Sequence, residues 1–218
     1  MCSIIGTFDL NEIRPLYELN SYRGKYSHSV SVYNINTKRM ALVKRSLGEL
    51  PEGDIELLRN NFSGDGMYYI IHSQAPTGDS VGMHTVHPAL YWDPRDIDMQ
   101  NSYLWHNGIL KHKTISELQI FKPGSNWDTE LLLYYIINEG NLSHIDGSFA
   151  CLLYNKGKMF CFRNEIAPLF INDKLTISST MYENSYTVVP NRIYSIDFTT
   201  RELIVESTFV TKNSPYIL

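Results

Sequence analysis

At 218 residues, with 43% hydrophobic and 19% charged content, the chain can bury one substantial core and has the composition of an ordinary globular domain. A net charge of −4 with both signs scattered excludes the basic footprint of a nucleic-acid binder, and the Lys38-Arg39 and Lys44-Arg45 cluster is expected on the solvated side of two strands. No run approaches the ~18 apolar residues of a membrane span, and no basic segment followed by a long apolar stretch marks a secretory signal.

The first predicted element is a strand over 2–8, broken by Asp9 to Pro15. Ser29 to Asn34 and Arg39 to Val43 read as a hairpin around Asn36-Thr37. Asp54 to Asn61 has helical apolar spacing, with Asp54 as the expected N-cap. Met67 to His72 is rich in Tyr and Ile and reads as a strand. Residues 75–101 hold three of the nine prolines and many polar residues, and form a long loop region of the kind that is more often functional than idle. Tyr103 to His106 is a short strand ending in Asn107-Gly108, and Ser116 to Phe121 a short helix. Asp128 to Asn138 is the clearest helix, with Leu131, Leu132, Tyr135 and Ile136 on one stripe and Gly140 as its C-cap. Strands then follow at 148–155, 158–163, 168–171, 175–179, 186–189, 192–197 and 202–206. There is no repeat and no linker, so one α+β domain is expected over 1–218.

The three cysteines, Cys2, Cys151 and Cys161, make neither a metal spacing nor an even disulfide set. Cys151 and Cys161 lie in apolar runs and read as buried thiols, which fits a reducing compartment and a cytoplasmic location. Cys2 is different. Removal of Met1 would make it the N-terminal residue, with a thiol nucleophile and a free α-amine in one residue. Such an amine has an ordinary pKa of roughly 7.7–8.0 and can carry a proton near neutrality. Taken alone, the position is equally open to a small residue without a role. A thiol-based acyl-transfer site also needs an oxyanion hole and groups that hold the substrate's fixed end. The motifs that could supply them come in this order: Arg23-Gly24, His72-Ser73-Gln74-Ala75-Pro76-Thr77-Gly78, His87-Pro88, His106-Asn107-Gly108, Trp127-Asp128-Thr129-Glu130 and Asp146-Gly147-Ser148-Phe149-Ala150.

This succession, with a Cys at position 2, resembles the class II glutamine amidotransferase domain of the N-terminal nucleophile hydrolases, from Cys2 to about Asp197. The segment from Phe162-Arg163-Asn164-Glu165 to Pro168-Leu169-Phe170 is similar to the family's Arg-Asp…Pro-Leu run. The resemblance implies a four-layer αββα sandwich of two packed, largely antiparallel sheets. It implies Cys2 as nucleophile toward the side-chain amide of glutamine, with its α-amine as base. Asn107 and the N–H of Gly108 would form the oxyanion hole, and Asp128 would bind the substrate's α-ammonium. Asp128 also has a plain reading as a helix cap. Arg23 would stand near the nucleophile, where the alternative is a surface arginine before a turn; Gln74, Thr77 and His87 would line the substrate pocket. No cofactor is implied.

The sequence departs from the family in several places. Ser3 stands where Gly is usual, Thr85 where Asn is usual, and Trp127 replaces a small residue. Gln74 stands where an Arg grips the substrate's α-carboxylate; an amide can donate hydrogen bonds but brings no charge, which suits a γ-amide whose α-carboxyl is blocked. His72, His84, His87 and His106 match no standard zinc spacing, and no metal is expected; His28, His112 and His144 read as surface residues. The residues after the last family-like strand are too few for a synthase domain. The expectation is therefore a glutaminase that passes ammonia to a separate synthase subunit. The alternatives are a stand-alone amidase on a γ-glutamyl or related amide and a catalytically silent binding subunit.

Overall fold

The structure, a computed structural model, describes residues 2–75, 81–92 and 101–212. The elements in chain order are β1 (Cys2–Thr7), α1 (Leu10–Asn20), β2 (Ser27–Asn34), β3 (Arg39–Leu47), α2 (Glu52–Asn61), β4 (Met67–Gln74), β5 (Ala89–Tyr91) and β6 (Ser102–Leu110). They continue with α3 (His112–Leu118), α4 (Asp128–Glu139), β7 (Gly147–Asn155), β8 (Lys158–Arg163), β9 (Phe170–Ile171), β10 (Ile177–Ser178), β11 (Tyr186–Thr187), β12 (Arg192–Asp197) and β13 (Glu202–Thr208). One sheet has seven strands in the order β11-β9-β10-β1-β4-β2-β3, and the other has six in the order β13-β12-β8-β7-β6-β5. All pairings recorded between them are antiparallel.

Strand alternation explains the layering. Successive side chains of a strand point to opposite faces, so a strand buried on both faces feeds two cores. Ile4, Tyr68 and Ile70 of the first sheet meet Trp105, Ala150 and Leu152 of the second between the sheets. Their neighbours Ile5, Tyr69 and Ile71 face the other way, onto Ile13, Leu16 and Tyr17 of α1 and Ile55 and Leu58 of α2. Leu104, Cys151 and Leu153 face outward from the second sheet onto Leu118 of α3 and Leu131, Leu132 and Tyr135 of α4. Three apolar cores thus separate four layers, αββα. Each fully buried Ile or Leu in them contributes about 1.5–3 kcal/mol of transfer free energy.

Several boundaries differ from the sequence expectation. The stretch Asp9 to Pro15 is no break: α1 runs through Pro15, with the Asp9 side chain accepting the Asn11 N–H at 2.8 Å as N-cap. The proline is tolerated because it and Asn11, whose carbonyl loses its helical partner, are both exposed. Asp54 is not the N-cap of α2. Pro51 occupies that position, and Asp54 turns inward from the first turn to meet His28 and Lys44. His28 is accordingly buried, not a surface residue. The third helix spans His112–Leu118, earlier than Ser116 to Phe121, and β9, β10 and β11 are each two residues long. The loop region carries the short strand β5. Gly140 adopts φ 64°, ψ 13° and caps α4 as expected.

Strand β6 does not end at Asn107-Gly108. It continues to Leu110, paired with β7 to Gly147. Asn-Gly suggests a turn locally, but here the glycine serves close approach. A Cβ at Gly108 would lie 1.9 Å from the Ser148 carbonyl oxygen and 2.6 Å from His106 Nε2.

Candidate active site

The register places the site at one end of the layer between the sheets. Cys2 pairs with Gln74 across β1 and β4, and Gln74 with Ser27 across β4 and β2, so the three form one cross-strand row. Cys2 shares the face of Ile4, and Asn107 the face of Trp105, so both point into the inter-sheet layer. Arg23, in a single 3-10 turn at Ser21–Arg23, joins the two sheets there. Its Nε donates to the Cys2 carbonyl at 2.8 Å and its Nη2 to Asn107 Oδ1 at 3.4 Å, while Nη1 donates to the Tyr22 hydroxyl at 3.1 Å. Arg23 is 8% exposed, which excludes the surface reading. Asn107 Nδ2 donates to Ser179 Oγ at 3.2 Å, and the same oxygen accepts the Ile4 N–H at 2.9 Å. An amide nitrogen has two protons, so Asn107 keeps a second N–H to give.

A cavity of about 260 Å³ opens beside this row. Cys2, Gln74, His87, Gly108 and Asp128 all line it, together with Trp127. Arg23 and Asn107 stand behind that lining, and Thr77 lies outside the described residues. Asp128 opens α4 as its first residue, after Trp127 in the N-cap position. Its Oδ1 accepts the Thr129 N–H at 2.7 Å and its Oδ2 the Leu110 N–H at 3.2 Å. The carboxylate is therefore fixed by two backbone donors at the mouth of the helix.

Behind the cavity lies a buried imidazole cluster. His72 and His87 stack with ring centroids 3.8 Å apart, and Trp127 meets His87 edge-on at 5.2 Å. Burial pushes His72 down to about 3 and His87 well below the ordinary histidine range, so both rings are neutral. Thr129 Oγ1 sits between His87 and His106, 3.0 and 3.1 Å from their nitrogens. Among the described residues, no three His, Cys, Asp or Glu side chains group as a metal would require.

Burial pushes the Cys2 thiol up to about 12; the chain-terminal ammonium opposes the shift, the Asp128 carboxylate adds to it, and Arg23 and an Ala75 hydrogen bond oppose it. Such a thiol stays protonated near neutral pH.

The departures at positions 3 and 85 have local partners. Ser3 Oγ lies 2.6 Å from Ser73 Oγ, its directly paired neighbour in β4, which satisfies a hydroxyl where a glycine would have none. Thr85 Oγ1 donates to the Gly82 carbonyl at 3.0 Å. Arg163 and Asn164 prove to be structural. Arg163 donates to the carbonyls of Val188 and Ala167, each at 2.7 Å, and Asn164 Oδ1 accepts the N–H groups of Phe149, Ile166 and Ala167. Cys151 and Cys161 are fully buried in the cores. Sequence reasoning missed Ser179 and Thr129 as site residues. Thr129 follows a singled-out Asp, but Ser179 lies 72 positions from its partner Asn107 and carries no motif.

No family model matches the chain, and no curated protein sequence matches it. Solved structures do. The glutamine phosphoribosylpyrophosphate (PRPP) amidotransferase from B. subtilis, in complex with ADP and GMP, superimposes with a TM-score of 0.66 at 16% identity, over 95% of this chain and 49% of that one. A structure of the allosteric regulatory enzyme of purine biosynthesis gives a TM-score of 0.64 at 16% identity, over 94% and 48% of the two chains. The chain thus spans about half the length of the structures it matches. No helix among the described residues is long and apolar enough to cross a membrane. The likeness is one of fold: the chain has the αββα sandwich found in these structures.

Proposed function

We propose that residues 1–218 form one glutaminase-type domain, a cysteine amide hydrolase that cleaves the side-chain amide of glutamine or a closely related amide. The observation that carries the reading is the convergence of Cys2, Gly108 and Asp128 on one cavity, with Asn107 linked to the Cys2 carbonyl through Arg23. Removal of Met1 frees the α-amine of Cys2, which takes the thiol proton as sulfur attacks the amide carbon. Asn107 Nδ2 and the Gly108 N–H hold the developing oxyanion, each such donor being worth ~2.7–4 kcal/mol of barrier. The C–N bond breaks as the ammonium form of the amine returns the proton, ammonia leaves, and a thioester remains. Water then attacks the same carbon, the C–S bond breaks, and the carboxylate product and thiol are restored. Asp128 holds the substrate's ammonium, and Gln74 and His87 line the rest of the pocket. The ammonia goes to a separate synthase subunit, in a cytoplasmic setting suited to unpaired thiols.

Gln74 favours a second reading, a stand-alone amidase on a γ-glutamyl or carboxyl-blocked amide, since it contributes no positive charge to the pocket. A silent binding subunit is the contrasting class. Two measurements test the proposal. Intact mass should show the chain one methionine short, and ammonia should be released from a glutamine side-chain amide by the parent but not by Cys2→Ala. Retained Met1, or release independent of Cys2, defeats the mechanism.

A further inference from the structure

The histidine cluster fixes which way the Gln74 amide points. A carbonyl oxygen can only accept. His72 Nε2 faces the His106 carbonyl at 3.1 Å, and His106 Nε2 faces the Ser148 carbonyl at 3.3 Å. Both rings therefore carry a proton on Nε2. The Thr129 hydroxyl lies 3.1 Å from His106 Nδ1 and gives its single proton to Asp128 Oδ1 at 3.3 Å. Thr129 Oγ1 has only lone pairs left for His87 Nε2 at 3.0 Å, so His87 must donate from Nε2. That leaves neutral His87 bare at Nδ1, 3.3 Å from the amide atom that the structure places as Gln74 Oε1. The group facing it has to be the amide NH₂. In the structure Ser27 Oγ donates to that same atom at 3.1 Å; with the amide turned over, the second amide proton reaches the Ser27 oxygen instead.

Oxygen and nitrogen of a side-chain amide have nearly the same shape, and the network decides between them. The opposite orientation needs the Thr129 proton on His87 Nε2 and not on the Asp128 carboxylate. Neutral His72 and His87 agree with one proton per ring. The amide atom left for the cavity that Gln74 lines is its carbonyl oxygen.

We propose that Gln74 and Asp128 form an acceptor-lined subsite, and that the substrate is an amide bearing a free ammonium and a neutral, masked α-carboxyl. The inference rests on the amide-hydrolase reading above and names its substrate class. Among the described lining residues, Asp128 is the single Asp, Glu, Lys or Arg, and the Arg23 guanidinium is engaged with Cys2, Tyr22 and Asn107. An ammonium finds two acceptors there. A free carboxylate finds an oxygen and a like charge.

The test compares L-glutamine with L-glutamine whose α-carboxyl is carried as an N-methylamide, using the processed full chain. Cleavage of the side-chain amide releases ammonia, whereas cleavage of the α-amide releases methylamine, so the two are separable. The expected result is Cys2-dependent ammonia release with kcat/KM at least about fivefold higher for the masked substrate, the low end of what an unpartnered acceptor costs. Gln74→Arg should reverse the preference. Cys2-dependent turnover that favours free glutamine overturns the subsite and leaves the amide hydrolase standing; no Cys2-dependent release from either substrate overturns both. Independently of activity, long-range ¹H–¹⁵N spectra of the histidines should show His87 and His106 protonated on Nε2. His87 protonated on Nδ1 overturns the amide orientation.

Discussion

The substitution Asn107→Asp separates catalysis from folding. In the parent, Oδ1 of Asn107 accepts from Arg23 Nη2 at 3.4 Å and Nδ2 donates to Ser179 Oγ at 3.2 Å. A carboxylate in the same place keeps the first contact and makes it charge-assisted. It also keeps the second, because Ser179 Oγ accepts the Ile4 N–H and retains its own proton, which it can turn toward the new acceptor. The pairing gain and the desolvation of a second buried charge roughly cancel, so stability should change by no more than ~1 kcal/mol. Catalysis has no such compensation. The variant has no N–H to offer the oxyanion and sets a negative charge beside it. The loss of the donor alone corresponds to ~2.7–4 kcal/mol, or roughly 10²–10³-fold in kcat. The assay is steady-state ammonia release, run beside urea unfolding of the same preparations. A kcat within about tenfold of the parent in a folded variant would refute Asn107 as the oxyanion donor.

Gly108→Ala should be costly for the fold itself. The new Cβ would meet the Ser148 carbonyl at 1.9 Å, in a central strand pair that cannot spread, so a loss of about 1–3 kcal/mol or more is expected in urea unfolding. The pH dependence of kcat/KM should rise and level off near the ordinary amine value, roughly 7.7–8.0, because the base must be unprotonated to act. A rate that keeps climbing toward the thiol value of about 12 would mean that free thiolate, not the amine, drives attack. Asp54 provides a stability probe remote from the site. Burial works against its ionised form, but Lys44 and His28 more than offset it and hold its carboxyl below the ordinary value. The stability it confers is complete above the ordinary carboxylate value of ~3.9 and is lost as pH falls through its lower folded value. Urea midpoints should therefore drop at acid pH, and less so in Asp54→Asn.

Much of the architecture was legible in the sequence because it is written in short-range periodicity. The alternation of Ile4 with Ile5, and of Tyr68 and Ile70 with Tyr69 and Ile71, already contains the two faces of the first sheet. The stripe Leu131, Leu132 and Tyr135 places α4 on the second sheet, and Gly140 ends it. The order of motifs around Cys2 pointed to the fold that the solved structures bear out. Helix α1 was hidden because Pro15 breaks a helix locally, and only an exposed carbonyl at Asn11 makes it tolerable. The Asn-Gly of β6 read as the end of a strand because its real constraint, the Ser148 carbonyl, lies on another strand.

Sequence alone determined the residue types available for chemistry: a cysteine at position 2, an Asn-Gly pair, an aspartate opening a helix, and a glutamine without charge at position 74. Tertiary structure alone decided their relations. It buried Arg23 between Cys2 and Asn107, gave Asn107 a partner in Ser179, tied His28 to Asp54, and set Gln74 against a chain of imidazoles that fixes its amide. The reason is range. Periodicity is a property of neighbours along the chain, whereas hydrogen-bond direction depends on which distant groups the sheets bring face to face.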